Sequence, residues 1–376
     1  IEEAAKAAGP DLLAPLSLSG RRLFIGDHKQ LPPFDSERIN AILADGSVVR
    51  SLLKGADRII GSAFYDTGLE ELTAVAADDS QLDRVRSMAI RVFEPFRALV
   101  LEDESRRAIV GGARKAASSE LLVQHRMDPD IARLVSACFY NDRLTTSDKR
   151  IADAAKPLPF SFGSDFPSSP IVIVDMPHVS RTGKAQPVES DRPRWNNRAE
   201  ARVIGAMLRN LRPSGEQDGT KPSLAVLTPY RAQVRHLTHE IDVVKAKGDG
   251  LSGFHSFNND DRFWGTVDSS QGSEADLVIV SLVRNNPRTG IPALGFLRDP
   301  RRMNVPLSRA RQQLVIGGSL EFLKEATPHA TADPKDELSF VVRFLKTLDQ
   351  LTKARSARGE PAARIVKLTQ IKGAGR

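Results

Sequence analysis

The sequence predicts an α/β fold in which parallel sheets are covered by helices. Short apolar runs alternate with amphipathic stretches, as they do when each strand is followed by a crossover helix. Ile131, Leu134, Val135, Cys138 and Phe139 recur at spacings of three and four residues and predict one apolar helix face. The runs predicted as strands are 22–26, 120–123, 171–175, 224–228, 265–267, 276–282 and 314–317.

Length, charge and cysteine content limit the class of protein. The chain has 376 residues and a net charge of +7, which allows about two domains and permits phosphate-bearing partners. Its single cysteine, Cys138, excludes an internal disulfide and a cysteine zinc site, and its place in the apolar stripe predicts a packed thiol. Since no apolar run could span a bilayer and no leader pattern is present, we expect a cytoplasmic protein without a membrane partner.

Five segments interrupt the alternation of strands and helices. Residues 66–119 are charged and mostly helical in pattern, which predicts an inserted helical arm. Loops are predicted for 156–170, 177–197 and 247–261, where turn-forming and polar residues accumulate. Residues 353–376 contain seven Lys or Arg and one Glu, which predicts either a solvated, partly disordered tail or an auxiliary contact with nucleic acid.

The first motif with chemical meaning is a pair of adjacent carboxylates, Glu2 and Glu3. In nucleotide hydrolysis one such carboxylate holds Mg²⁺ through water, and the next orients and deprotonates the attacking water. Taken alone, the pair is more often the solvated start of a helix. The run 22–26 ends in Gly-Asp and is followed by Gln30 and a Leu-Pro-Pro turn, which places an amide where it could sense a terminal phosphate.

These two runs together resemble superfamily-one helicases, in particular the Upf/Senataxin-like (DNA2/NAM7-type) branch. Glu2 stands where the Walker B motif of that branch usually has Asp, and the resemblance implies a water-mediated ligand of Mg²⁺. It also implies that Glu3 and Gln30 act in the hydrolysis of ATP. The branch pattern Gly-Asp-x-x-Gln-Leu-Pro-Pro is matched by Gly26, Asp27, Gln30, Leu31, Pro32 and Pro33.

A second block, 124–131, reads Gln-His-Arg-Met-Asp-Pro-Asp-Ile and resembles the branch pattern Gln-Tyr-Arg-Met-x-Pro-x-Ile. The resemblance implies that Arg126 is an arginine finger for the γ-phosphate of ATP. The fixed charge and planar fork of a guanidinium suit a transferring phosphoryl group. His125 replaces the more common Tyr. From the residues alone, Arg126 could instead cap or bridge the start of a helix.

A third block, 227–234, follows an apolar strand and opens a helix. It resembles the branch pattern Thr-Pro-Tyr-x-Ala-Gln, which implies that Thr228 and Tyr230 face the nucleic acid. The same residues would also suit a strand–turn–helix connection that binds no ligand.

The fourth block, 265–276, resembles the branch pattern Thr-Val-Asp-x-x-Gln-Gly-x-Glu. The resemblance implies that Gln271, Gly272 and Glu274 bind the nucleotide and that Thr266 faces the nucleic-acid backbone. Glycine at position 272 would let the backbone approach a phosphate or ribose closely. A lone Gln-Gly-x-Glu is a turn in most proteins, so this prediction depends on the whole block.

The fifth block, 295–311, resembles the pattern Arg-Arg-x-Asn-Val-Ala-Leu-Thr-Arg-Ala-Lys. The resemblance implies that Arg309 is a second arginine finger. Asn304 is expected to tie the motif to the sheet, and Pro306, in place of Ala, to distort the first helical turn. Without the other blocks, these arginines would be taken as a generic basic patch.

The five motifs occur in the order of the family and imply a RecA-like P-loop NTPase fold. By resemblance, ATP is hydrolysed between two RecA-like domains, and a monomeric motor moves along single-stranded DNA or RNA, usually 5′ to 3′. The predicted parts are a C-terminal remnant of a first RecA-like domain (1–65), a helical insertion (66–119), a second RecA-like domain (120–325) and a C-terminal helix with a basic tail (326–376).

No Gly-x-x-x-x-Gly-Lys-Ser/Thr loop, which would cradle the phosphates, occurs in these residues. We therefore expect this chain to be the C-terminal portion of a longer motor, to require the upstream part and to hydrolyse ATP negligibly alone. Two alternatives remain open at this point. Glu2, His125 and Pro306 depart from the family pattern and would suit a degenerate, non-hydrolysing nucleic-acid-binding scaffold. A translocase that never unwinds a duplex would share every motif.

Overall fold

The chain divides into two compact units, Ile1–Glu120 and Leu121–Arg376. No helix in the part of the chain described by the structure combines the length and apolar character needed to cross a membrane. The structure is a computed structural model and describes residues 1–18, 20–60, 74, 77–110, 117–163, 166–179, 189–191, 194–214, 220–248, 251–258, 260–333 and 336–371.

Unit 1 is built from helices in its described residues. The part of the predicted insertion 66–119 that is described is mainly helical, and the Asp78 side chain caps its first long helix by accepting a hydrogen bond from the Ser80 amide at 2.8 Å. The helices are α1 (Gly9–Ser17), α2 (Ser36–Ala44), α3 (Gly46–Ile60), α4 (Asp79–Phe93) and α5 (Pro95–Val110), preceded by a 3-10 turn at Ala4–Lys6.

The predicted strand 22–26 is extended but does not form a regular strand. It pairs with the first residues of the chain through three backbone hydrogen bonds. The Ile1 amine donates to the Leu23 carbonyl at 2.9 Å, the Ile25 amide to the Ile1 carbonyl at 2.8 Å, and the Ala4 amide to the Ile25 carbonyl at 2.9 Å. The pairing stops there because the chain turns into the 3-10 helix after Glu3.

The centre of unit 2 is a seven-stranded parallel sheet with the order β10-β8-β11-β12-β4-β13 and β9 also beside β8. This confirms the predicted α/β class. The strands of the unit are β1 (Val123–Gln124), β2 (Thr145–Thr146), β3 (Phe160–Ser161), β4 (Ile171–Asp175), β5 (Ser190–Asp191), β6 (Arg194–Asn196), β7 (Arg212–Pro213), β8 (Ser223–Thr228), β9 (His255–Ser256), β10 (Trp264–Thr266), β11 (Ala275–Ser281), β12 (Ala310–Gly318) and β13 (Ala363–Lys367).

Helices cover both faces of this sheet. Alternate residues of each strand point to opposite faces, so Ile171 and Ile173 belong to one apolar cluster while Val172 and Val174 belong to the other. Both faces are buried, which explains why the strands read as continuous apolar runs. The helices of unit 2 are α6 (Pro129–Phe139), α7 (Asp148–Ala154), α8 (Arg198–Asn210), α9 (Arg231–Ala246), α10 (Ile291–Leu294), α11 (Pro300–Leu307), α12 (Leu320–Ala326) and α13 (Ser339–Lys353).

Two predictions about the later part of the chain were wrong. The segment expected as a solvated, disordered tail contains β13, which pairs with β4 from Ala363 opposite Ile171 to Lys367 opposite Asp175. The strand was not predicted because it carries charged residues and buries only Ala363 and Val366. Pro306 lies in the last turn of α11 rather than in its first turn.

A buried polar group, which we name the Glu200 cluster, supports the end of β11. It consists of Asn197, Glu200, Gln233, Ser281 and Val283. The Glu200 carboxylate accepts hydrogen bonds from the Ser281 hydroxyl at 2.6 Å and the Val283 amide at 3.1 Å, and Asn197 donates to the Val283 carbonyl at 3.2 Å. Val283 has φ 71°, a region that β-branched residues rarely adopt, so this cluster holds the chain in a strained turn.

Burial raises the pKa of Glu200 to about 7 from its ordinary 4.5. The folded state therefore binds a proton that the unfolded chain has released between these two values, and stability falls as pH rises through that window. The full effect is about 3 kcal/mol. We expect Glu200→Gln to flatten the pH dependence of the urea unfolding free energy between pH 5 and pH 8. Glu321→Gln, at an exposed position of α12, is the control, and equal slopes in both variants would contradict the prediction.

Candidate functional site

The loop that carries Arg126 is shaped by the side chain of Gln124. The Gln124 carbonyl oxygen accepts hydrogen bonds from the amides of Arg126 at 2.9 Å and Met127 at 2.7 Å. Its amide nitrogen donates to the Met127 carbonyl at 3.0 Å and to Thr146 of β2 at 2.8 Å. Gln124 belongs to the second block, but no role was predicted for it from the sequence. In the structure its side chain fixes the backbone of Arg126.

Arg126 and Glu274 are brought together although 148 residues separate them. The Arg126 Nε donates to the Glu274 Oε2 at 2.6 Å, and the two side chains are 34 % and 42 % exposed. A second arginine, Arg311, approaches the other carboxylate oxygen at 3.7 Å. The predicted phosphate-binding arginine thus lies at the surface of unit 2, paired with the residue predicted to reach the nucleotide.

Arg309 occupies a different environment from Arg126. It is 3 % exposed, and its Nε donates to the Val305 carbonyl at 3.0 Å while one Nη donates to the Ser273 carbonyl at 3.2 Å. The side chain therefore joins α11 to the loop that contains Gln271 and Gly272. Its role as a second finger remains a prediction.

The loop 268–274 leaves room for a ligand beside Gly272. Gly272 has φ 82°, which favours glycine. Apart from the glycine and its two chain neighbours, no atom of the described residues lies within 4 Å of the place a Cβ would occupy. Gln271 precedes it, and the Ser273 amide closes the turn on the Ser270 carbonyl at 3.2 Å. An open, positive-φ backbone next to two arginines fits the phosphates of ATP.

These residues share one edge of the sheet. Glu274 directly precedes β11 and Arg309 directly precedes β12, and the two strands are parallel neighbours. The Ala275 amide donates to the Arg309 carbonyl at 3.1 Å, and the Asp128 amide, two residues after Arg126, donates to the Arg311 carbonyl at 2.8 Å. We name the group Arg126, Gly272, Glu274, Arg309 and Arg311 the arginine edge.

In unit 1 the predicted catalytic residues follow two adjacent extended segments. Glu2 and Glu3 are exposed, and Glu3 has φ 52° at the start of the 3-10 turn. Gln30 donates through its amide to the Asp27 carboxylate at 3.0 Å. Gly26 permits the close approach of the segments, since a Cβ there would lie 2.9 Å from a backbone nitrogen.

The described residues contain no group of three His, Cys, Asp or Glu side chains that could hold a metal ion by themselves. Mg²⁺ does not need three protein ligands, because the ion keeps several waters and is usually held by one or two carboxylates together with substrate phosphates. Glu2, exposed at the start of unit 1, is the carboxylate that would hold it through water.

Two of the three residues predicted to touch nucleic acid are buried. Thr228 is 0 % exposed, so its side chain is not at the surface in this conformation, and its contact with nucleic acid stays a prediction. The Tyr230 hydroxyl accepts a hydrogen bond from the Phe296 amide at 3.0 Å, and burial raises the pKa of Tyr230 to about 12. Tyr230, which directly precedes α9, thus packs against Phe296. The third residue, Thr266, is half-buried at the end of β10.

A buried ion pair beside Arg126 was missed by the sequence reasoning. Asp128 and Arg358 approach to 3.2 Å, with side chains 2 % and 8 % exposed. Asp128 also caps α6 by accepting from the Asp130 amide at 3.0 Å, and Arg358 donates to the Ala154 carbonyl at 3.0 Å. The Asp-Pro sequence before α6 signals a helix cap, but nothing in the sequence of the tail reveals the partner.

The sequence profile of a family described as AAA domain matches residues 103–321, which is more than half of the chain. The chain belongs to this family. It is a member of the DNA2/NAM7 branch of superfamily-one helicases, in agreement with the order of its motifs.

Three relatives of this chain are named as helicases. DNA polymerase alpha-associated DNA helicase A of Saccharomyces cerevisiae is 30% identical over 213 residues, which are 54% of this chain and 28% of the relative. DNA replication ATP-dependent helicase/nuclease DNA2 of Mus musculus is 25% identical over 346 residues, 88% of this chain and 25% of the relative. Helicase sen1 of Schizosaccharomyces pombe is 31% identical over 204 residues, 54% of this chain and 11% of the relative. The chain thus spans about a quarter or less of the length of these proteins.

Proposed function

We propose that the protein is an ATP-dependent helicase or translocase motor that acts on single-stranded DNA or RNA. The observation that carries this proposal is the arginine edge, where Arg126 is partly exposed. Its guanidinium makes a solvent-screened pair with Glu274 at 2.6 Å and a longer hydrogen bond to the Ser308 carbonyl at 3.5 Å. A phosphate oxygen offers the same charge-assisted hydrogen bond as the Glu274 carboxylate. When ATP is present, Arg126 would exchange the Glu274 carboxylate for a phosphate oxygen and so act as the arginine finger.

In the proposed reaction each residue does a distinct task. Arg126 and Arg309 stabilise the negative charge that spreads over the transferring phosphoryl group, which is the main catalytic task in phosphoryl transfer. Glu3 orients and deprotonates the attacking water, and Gln30 contacts the terminal phosphate. Glu2 would hold Mg²⁺ through water, and the bound ion would supply positive charge to the phosphate oxygens.

The proposal extends to the organisation of the motor. A phosphate-cradling loop is proposed to come from the part of the protein upstream of these residues, so that the 376-residue chain alone hydrolyses ATP negligibly. We also propose a monomeric motor that works in the cytoplasm. A non-hydrolysing scaffold is the second candidate, and it is favoured only by Glu2, His125 and Pro306, which replace the residues usual in the family.

The direct test is ATP hydrolysis by the full-length protein, measured with and without single-stranded DNA or RNA, beside an Arg309→Ala variant. We expect strong stimulation by one of the two nucleic acids and its loss in the variant. Salt-sensitive strand binding without hydrolysis under any condition would support the scaffold instead. A strand-displacement assay then separates a helicase from a translocase that does not unwind.

A further inference from the structure

An open cavity lies at the outer edge of the sheet in unit 2, between β10 and the first turns of α9. Its volume is about 280 Å³, and the lining includes Arg231, Val234, Asn258, Arg262, Trp264 and Thr266. β10 is the last strand of the sheet on this side, so nothing in the described sheet covers it. Of the three residues predicted to touch nucleic acid, Thr266 is the one that lines this cavity.

Trp264 lies on the edge strand that borders the cavity, and its side chain packs against an apolar cluster of unit 2. Its backbone lies opposite Val226 of β8, and its side chain is half-buried. Gly265 keeps the strand close to the following loop, because a Cβ there would lie 2.9 Å from the Ser269 hydroxyl. A partly exposed indole that packs against the core offers a flat face on which a base can stack without a large loss of conformational entropy.

Two arginines line the cavity together with the indole. The Arg262 guanidinium lies 5.8 Å from the centre of the Trp264 ring, and the Asp260 carboxylate accepts from its Nε at 2.8 Å and holds it there. Asp260 offsets part of that positive charge. Arg231, the first residue of α9, is exposed and has no ion-pair partner among the described residues, so it supplies charge for a phosphate.

We propose that this cavity is a base-stacking subsite for single-stranded nucleic acid, in which Trp264 stacks on one unpaired base. Arg231 contacts a neighbouring phosphate, and Arg262 extends the stacking surface. An aromatic platform beside cationic side chains is the combination with which proteins bind single strands independently of sequence. The inference rests on the proposed function only in requiring that the protein binds a strand, and it names where one base of that strand lies.

The test uses the two tryptophans of the chain as reporters. Trp195 packs against the Arg284 guanidinium at 4.1 Å, so Trp195→Phe keeps an aromatic ring there and leaves Trp264 as the sole tryptophan. An oligothymidylate labelled at one end is added to this variant, and fluorescence anisotropy and tryptophan emission are recorded together. We expect Trp264 emission to be quenched with the same half-saturation concentration as the rise in anisotropy.

Substitutions then separate base stacking from phosphate attraction. Trp264→Ala should lower the affinity for oligothymidylate roughly tenfold or more, and Trp264→Phe, which keeps the packing and part of the stacking, should lower it less. With an abasic oligonucleotide of the same length, Trp264→Ala should bind as the unsubstituted chain does. Arg231→Gln should weaken both oligonucleotides equally and reduce the dependence of affinity on salt.

The outcomes are distinguishable. Binding by anisotropy without a change in Trp264 emission, together with unchanged affinity of Trp264→Ala, would overturn the subsite and leave the motor proposal standing. Absence of strand binding at low salt would overturn both. If AMP quenches Trp264 at the same nucleotide concentration as the oligonucleotide, the cavity takes free nucleotides and the assignment to a strand is wrong.

Discussion

Replacing Arg126 by alanine is expected to lower kcat for ATP hydrolysis by the full-length protein about 10³- to 10⁵-fold, the range found for arginine fingers. The reason is that the guanidinium stabilises charge that develops only in the transition state. Stability should hardly change, because the pair with Glu274 is 34 % and 42 % exposed and a surface pair contributes about 0–1 kcal/mol. Steady-state hydrolysis and thermal unfolding of the same preparations provide both measurements.

Two companion variants make this result specific. Arg133→Ala removes an exposed arginine from α6, the helix that follows the Arg126 loop, and should leave kcat unchanged. Arg126→Lys keeps the charge but not the planar fork, so it should recover only part of the activity. If Arg126→Ala hydrolyses ATP within twofold of the unsubstituted protein, Arg126 is not a finger.

The arginine edge shows what sequence reasoning could and could not find. Arg126, Glu274 and Arg309 each belong to a local motif with a fixed spacing, so the sequence was enough to predict them as site residues, and their roles stay predictions. The sequence alone could not predict how close these residues lie, because that depends on β11 and β12 being neighbours in the sheet. The burial of Arg309 and Thr228 was not accessible, since exposure is set by packing between elements and not by the motif itself.

The central strands were predictable for a physical reason that does not extend to the edges. A strand buried on both faces must be apolar throughout, and β4 was found at the predicted residues Ile171–Asp175. β13 buries only Ala363 and Val366 and carries Arg364 and Lys367 at exposed positions, so its sequence resembles a solvated tail. Arg358, which precedes it, was therefore missed together with its partner Asp128.

Replacing Arg358 by methionine is expected to cost about 3–5 kcal/mol of unfolding free energy, because it leaves the Asp128 carboxylate buried without its ion-pair partner. For a unit of this size the midpoint of thermal unfolding should fall on the order of 10 °C. Burial raises the pKa of Asp128, so lowering the pH protonates the unpaired carboxyl and the deficit of the variant should shrink toward pH 5.

A second substitution should reverse most of this loss. In Arg358→Met combined with Asp128→Asn, neither position of the pair carries a charge and asparagine still caps α6, so stability should return to near that of the unsubstituted chain. Arg364→Met, at an exposed position of β13, is the control for the tail. An Arg358→Met variant as stable as Arg364→Met would contradict the prediction, as would a double variant that is not rescued.

The same ion pair should influence catalysis, because Asp128 lies two residues after Arg126 and its amide is bonded to the Arg311 carbonyl at 2.8 Å. Loss of Arg358 would let this part of the loop move, while Gln124 still holds the Arg126 and Met127 amides. Below its unfolding temperature, the Arg358→Met variant should therefore lose much less kcat than Arg126→Ala, and the double variant should recover it. If Arg358→Met and the unsubstituted protein have equal kcat, Arg358 contributes to stability and not to catalysis.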